Sequence, residues 1–187
     1  MLKVNELQSL VTGNVMLPME VLTLPSGDTA LAYTTSMADG DGNTGHVYVR
    51  RLGRDPVQVT ARAGDCGPPR GVADGDTVWM VHTVYQDKKR SVLLHALRDG
   101  EPVQSLELAG PAKMDNPHLC VLDDRLHVVW EDYAGGEGRI SYGRYDIASL
   151  LAGESAPVHD PITLSDTKCY KPQLISDGRQ LYLVYEW

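Results

Sequence analysis

Glu131, Asp132 and Tyr133 stand together after an apolar run, LHVVW, and Tyr85 and Asp87 close a similar run, TVWMVHTV. A carboxylate beside a tyrosine has the means to act as nucleophile, general acid or acceptor for sugar hydroxyls. His118 adds a group that exchanges protons near neutral pH. Glu131, Asp132, Tyr133 and His118 are therefore the candidate catalytic residues. Arg70, Asn116, Lys171 and Gln173 form a second set, each within two positions of a proline. With His118 they would make a ring of mixed donors suited to hydroxyl-rich ligands or anions. Tyr85, Tyr133 and Tyr170 lie where a ring is able to stack on a sugar, so Tyr85 and Tyr170 join the candidate ligand-binding residues. A plainer reading competes with these. Glu186 holds the position of Glu131 in another copy of the same pattern, and a recurring residue is more often architectural than catalytic.

The other chemistry-bearing residues carry less. Asp39 to Gly45 has oxygen ligands at alternate positions, as a calcium loop requires, but Thr44 and Arg50 occupy the places of its glycine and its bidentate glutamate. It reads as a Gly/Asp hairpin loop. His46, His82, His95 and His127 fall on apolar runs opposite Tyr, Trp or Arg of sister copies, which suits core histidines. Cys66, Cys120 and Cys169 are odd in number and lack ligand spacing, so free buried thiols are expected. No metal site and no cofactor is expected, since zinc, phosphate-loop and nucleophile-elbow patterns are missing.

The elements that must position these residues come as a repeat. A proline, a short apolar stretch, an Asp/Gly turn and an apolar-aromatic run recur from Pro18, Pro68, Pro117 and Pro172, spaced 50, 49 and 55 residues apart. Within each copy strand a follows the proline, a hairpin turn leads to strand b, and strands c and d return after it. Strands b are TALAYTT, TVWMVHT, LHVVWED and QLYLVYE; strands c lie at 46–51, 91–98 and 139–146; strands d follow Pro56, Pro102 and Pro161. Four antiparallel strands in about 50 residues make the blade of a β-propeller. The expected fold is all-β, one propeller domain over 1–187, with three complete blades and a partial fourth. Residues 4–10 resemble an outer strand of that last blade. Four-bladed closure, completion by a second chain and a fragment of a longer protein all remain open, and a homodimer through the incomplete blade is one expectation.

The segments NPHLCVLDDRLHVVWEDYAGGEGRISYGRYD and KPQLISDGRQLYLVYEW resemble blades of the sialidase-like propellers of bacterial-neuraminidase-repeat type. The likeness is one of blade pattern, over roughly residues 16–187, and Asp boxes are absent. It implies a loop face around a central channel on which glycans bind. The partners are correspondingly narrow. A net charge of −8, from 17 basic and 25 acidic residues, excludes a nucleic-acid binder working by phosphate neutralisation. Lys88-Lys89-Arg90 reads as a solvated hairpin tip. No run approaches the roughly 20 apolar residues of a membrane span. The N-terminus lacks a secretory apolar core, which favours the cytoplasm if Met1 is the native start. Three functions stay open: a glycan-binding propeller, a glycan hydrolase or lyase using the carboxylates, and a protein-interaction scaffold.

Overall fold

The computed structural model describes residues 15–39, 42–61, 64–86, 88–154, 159–164 and 168–187. Alternating apolar residues and Asp/Gly turns produce antiparallel sheets in strict chain order. Blade 1 holds β1 (Val15–Thr23), β2 (Thr29–Asp39), β3 (Gly42–Arg51) and β4 (Val57–Gln58). In blade 2 the inner strand is split into β5 (Asp65–Cys66) and β6 (Arg70–Asp74), both pairing β7 (Thr77–Gln86), with β8 (Lys89–Arg98) and β9 (Glu101–Ala112) outside them. Blade 3 holds β10 (Met114–Leu122), β11 (Arg125–Asp132), β12 (Arg139–Asp146) and β13 (His159–Thr163). β14 (Tyr170–Ser176) and β15 (Leu181–Glu186) form a two-stranded sheet. Three four-strand blades and a partial fourth are thus present, as the repeat implies. Residues 4–10, expected as an outer strand, lie outside the described residues.

Three local expectations are corrected. The proline does not begin the inner strand but sits inside it. β1, β10 and β14 start before their prolines, and the ladder slips between Met16 and Glu20, Asp115 and His118, and Tyr170 and Gln173. Proline has no N–H for the ladder, and a bulge absorbs the gap. The preceding Asn116 and Lys171 accordingly adopt left-handed φ of 46° and 49°. Second, the Asp39–Gly45 loop is mostly ladder, with Ser36 opposite Gly45 and Asp39 opposite Gly42. Gly45 is required there, because a Cβ would lie 2.1 Å from the Thr35 carbonyl oxygen. Third, the β12–β13 connection opens with a one-turn helix, α1 (Ile147–Leu151), whose N-terminus the Asp146 carboxylate caps through the Ser149 N–H.

Side chains alternate between the two faces of each sheet, and in blades 2 and 3 both faces are covered. Leu22, Ala32 and Val47 of blade 1 meet Val78, Met80 and Leu97 of blade 2. Trp79, Val81 and Leu94 on the other face of blade 2 meet Leu119, Val128 and Trp130 of blade 3, with Leu150 of α1 closing this core. Cys120, Val129 and Ile140 meet Cys169 and Leu174 across the next gap. All three cysteines are buried, and none is in a disulfide.

A chain of hydrogen bonds runs through blade 2. His82 Nδ1 lies 2.9 Å from the Thr83 carbonyl and must donate to it. His82 Nε2 then accepts from His95 Nε2 at 2.9 Å, and His95 Nδ1 accepts from the Ser105 hydroxyl at 2.7 Å. The two rings are nearly parallel, inclined by 7° with centroids 5.0 Å apart, and meet edge to edge. Burial pushes the His82 pKa down to about 4, and burial together with His82 pushes that of His95 down to about 3. Both imidazoles are therefore neutral at pH 7.

Candidate functional site

The inner strands of blades 1 to 4 place Glu20, Arg70, His118 and Gln173 at equivalent ladder positions, opposite Ala32, Val81, Val129 and Val184. Arg70 donates to the Glu20 carboxylate at 2.9 Å. Around Arg70, His118 and Gln173 opens a cavity of about 290 Å³ that Asp115, Asn116 and Lys171 also line. Five of the residues singled out in the sequence, Arg70, Asn116, His118, Lys171 and Gln173, are brought together here from three blades. A larger hollow of about 630 Å³ lies between blades 1 and 2, away from the inner strands. The central cavity is the better candidate, because charged and hydrogen-bonding groups converge on it.

His118 has a defined state. Its Nδ1 accepts the Leu174 N–H at 3.2 Å, which leaves the proton of the neutral ring on Nε2. Burial and then the Arg70 charge hold its pKa down at about 4. At neutral pH it is a hydrogen-bond donor rather than a cation. Asp115 is the residue that sequence reasoning missed. It lines the cavity, ion-pairs with Arg90, and accepts the Asn116 N–H at 3.1 Å. The signal available was its place in the Asp-Asn-Pro step at the bulge.

Glu131, expected as a catalytic residue, sits in a buried hydrogen-bond network rather than on the cavity lining. It is 1% exposed and accepts from three donors: Asn116 Nδ2 at 2.9 Å, the Lys171 N–H at 2.5 Å and the Tyr133 hydroxyl at 2.5 Å. It stands behind the cavity wall and holds the bulges of blades 3 and 4 together. Thr34, at the same ladder column in blade 1, donates to the Gly67 carbonyl of blade 2 at 3.0 Å. In blades 1 and 3 this column therefore joins one blade to the next, whereas Glu186 pairs with Lys171 of its own sheet. Asp132 is likewise turned to its own loop, where it accepts from Ala134 N–H at 2.8 Å and Ser141 Oγ at 3.4 Å.

Burial, followed by the Glu131 carboxylate, raises the pKa of Tyr133, so its hydroxyl stays protonated near neutrality and donates to Glu131. Tyr85 and Tyr133 face a neighbouring hollow rather than the central cavity. Tyr170 packs beside Gly138, where a Cβ would come within 2.7 Å of the Tyr170 ring and 3.1 Å of the Tyr133 ring. Asp87 lies outside the described residues. The hairpin-tip reading of Lys88-Lys89-Arg90 is amended, since Arg90 is tied to Asp115. Among the described residues no group of three or more His, Cys, Asp and Glu gathers as a metal site.

The arrangement of blades is matched by solved structures. An endo-arabinase from Bacteroides thetaiotaomicron superposes with a TM-score of 0.58 at 18% identity, covering 89% of this chain and 68% of that one. A Penicillium chrysogenum α-L-arabinanase in complex with arabinobiose gives 0.59 at 13% identity, covering 88% and 60%. Sucrose-6-phosphate hydrolase from Lactobacillus gasseri gives 0.53 at 14%, covering 93% and 40%. The chain has a β-propeller fold. The matches are to propeller glycoside hydrolases and not specifically to sialidases, so the likeness drawn from the blade pattern holds at the level of the propeller. The chain spans between 40% and 68% of the length of these structures. No protein-family model and no curated protein matches it.

Proposed function

We propose that the chain is a glycan-binding propeller whose central cavity takes the sugar. The convergence of Arg70, Asp115, Asn116, His118, Lys171 and Gln173 from three blades carries this reading. The set offers donors and acceptors side by side, as vicinal hydroxyls require. The propeller glycosidases that share the fold, one of them bound to arabinobiose, support a carbohydrate ligand. Binding is favoured over hydrolysis because Asp115 is the one carboxylate among the described residues lining the cavity. Glycoside hydrolysis ordinarily needs a pair. Calorimetric titration with a panel of neutral and acidic oligosaccharides should find binding that Gln173→Ala weakens about tenfold. A panel without any binder overturns the proposal.

The open face of β14–β15 supports a second element of the same reading, association of two chains. Ile175, Tyr182 and Val184 are 53%, 47% and 53% exposed on one side of this sheet. Apolar groups adjacent on an unpaired edge favour self-association. Sedimentation should give a species heavier than 20.5 kDa, reduced to the single-chain mass by Val184→Lys. A single-chain mass for the unaltered protein excludes the association.

A further inference from the structure

A second hollow adjoins the central cavity and bears on the charge of the ligand. It measures about 410 Å³, within the range of small-molecule sites, and is lined by Asp65, Tyr85, Lys88, Arg90, Lys113 and Tyr133 together with Met114. Sheet register builds part of it, because Asp65 lies opposite Tyr85 and Tyr85 opposite Arg90 in one row across β5, β7 and β8. The Arg90–Asp115 ion pair separates the two hollows, Arg90 facing one and Asp115 the other.

The charge balance of this hollow runs against that of the chain. Among the described residues three cations and one carboxylate line it, in a protein of net charge −8. Arg90 is partly neutralised by Asp115 and lies 5.9 Å from the centroid of the Tyr85 ring. Lys88 and Lys113 are exposed, and among the described residues neither ammonium enters an ion pair. Lys88 sits at φ 64° in the β7–β8 turn, and the Lys113 carbonyl accepts the Tyr133 N–H at 2.8 Å. The Tyr133 ring is anchored in turn by its hydroxyl on Glu131. Tyrosine faces offer stacking surface for a sugar ring, and two exposed ammonium groups offer a seat for an anion attached to it.

We propose that this hollow is an anionic subsite, so that the glycan bound by the protein carries uronic-acid units. The inference rests on the glycan-binding reading of the central cavity. Its chemistry is a sugar carboxylate near Lys88 and Lys113, with the ring against Tyr85 and Tyr133 and the chain passing the Arg90–Asp115 wall into the cavity.

Calorimetry with α-1,4-trigalacturonate and α-1,4-galactotriose tests it, since the two differ only in a carboxylate against a hydroxymethyl group. The acidic trisaccharide should bind about tenfold more tightly at low salt. Raising ionic strength from about 50 to about 500 mM should erode that advantage, because exposed charges are screened. The Lys88→Gln/Lys113→Gln variant, altered at two exposed positions, should lose the preference while keeping its thermal midpoint. Equal affinities, a neutral trisaccharide that binds better, or a variant that retains the preference overturns the subsite and leaves glycan binding standing. If neither these two nor any neutral oligosaccharide binds, both readings fail.

Discussion

Replacing Glu131 with alanine should lower the unfolding free energy by about 3–5 kcal/mol, read as a shift in the urea midpoint. The substitution leaves the Lys171 N–H, the Asn116 amide and the Tyr133 hydroxyl without their acceptor. Each buried unsatisfied group costs about 1–3 kcal/mol, and part is recovered if water enters. The loss should be felt at the wall of the central cavity as well, because Asn116 and Lys171 hold left-handed conformations that are unusual outside glycine. Glu131→Gln keeps an acceptor and places an amide N–H near the tyrosine hydroxyl, which is able to accept it. It should cost about 1–2 kcal/mol. An alanine variant as stable as the parent would mean that Glu131 does not join blades 3 and 4.

Acid should destabilise the protein well before the carboxylates titrate. His82, His95 and His118 have pKa values depressed to about 4, about 3 and about 4, chiefly by burial. Histidines of the unfolded chain titrate near pH 6.5. Between those limits the unfolded chain binds protons that the folded chain refuses, so stability is full above pH 6.5 and falls as pH is lowered toward 4. Asp146 and Asp177 have pKa values lowered by backbone hydrogen bonds, from Ser149 and Arg179 respectively, so their contribution is lost only below the usual carboxylate range. The two windows separate. Urea midpoints at pH 7.5, 5.5 and 4.5 should decline in that order, and His82→Leu/His95→Leu should flatten the decline. An unchanged midpoint across this range would refute the neutral Ser105–His95–His82–Thr83 chain.

How far these features could be read from the sequence depends on their range along the chain. The four copies beginning at Pro18, Pro68, Pro117 and Pro172 are local patterns, and they yielded the blade, its strand order and the partial fourth sheet. Arg70, Asn116, His118, Lys171 and Gln173 were recognisable because each holds a fixed offset from one of these prolines. The failures came where the deciding partner lies in another blade. Glu131 looks like a free loop carboxylate until Lys171, 40 residues on, is seen to donate to it. Asp115 drew no notice because Arg90 belongs to the preceding blade. The bulge at each proline was missed for a different reason. A residue that cannot donate to a ladder looks like a boundary, whereas the fold keeps pairing on both sides of it.

Each apolar core lies between two consecutive sheets, so no blade owns one. A blade taken alone would expose half of two cores, and its hairpins would have little to gain from forming first. Stability then becomes a property of adjacent pairs, as in other repeat architectures. Folding should start at whichever pair collapses most readily, and the core between blades 2 and 3, which contains Trp79 and Trp130, holds the largest side chains. From there each added sheet finds a finished surface waiting for it, so the order of assembly would run outward from the middle of the chain toward both ends.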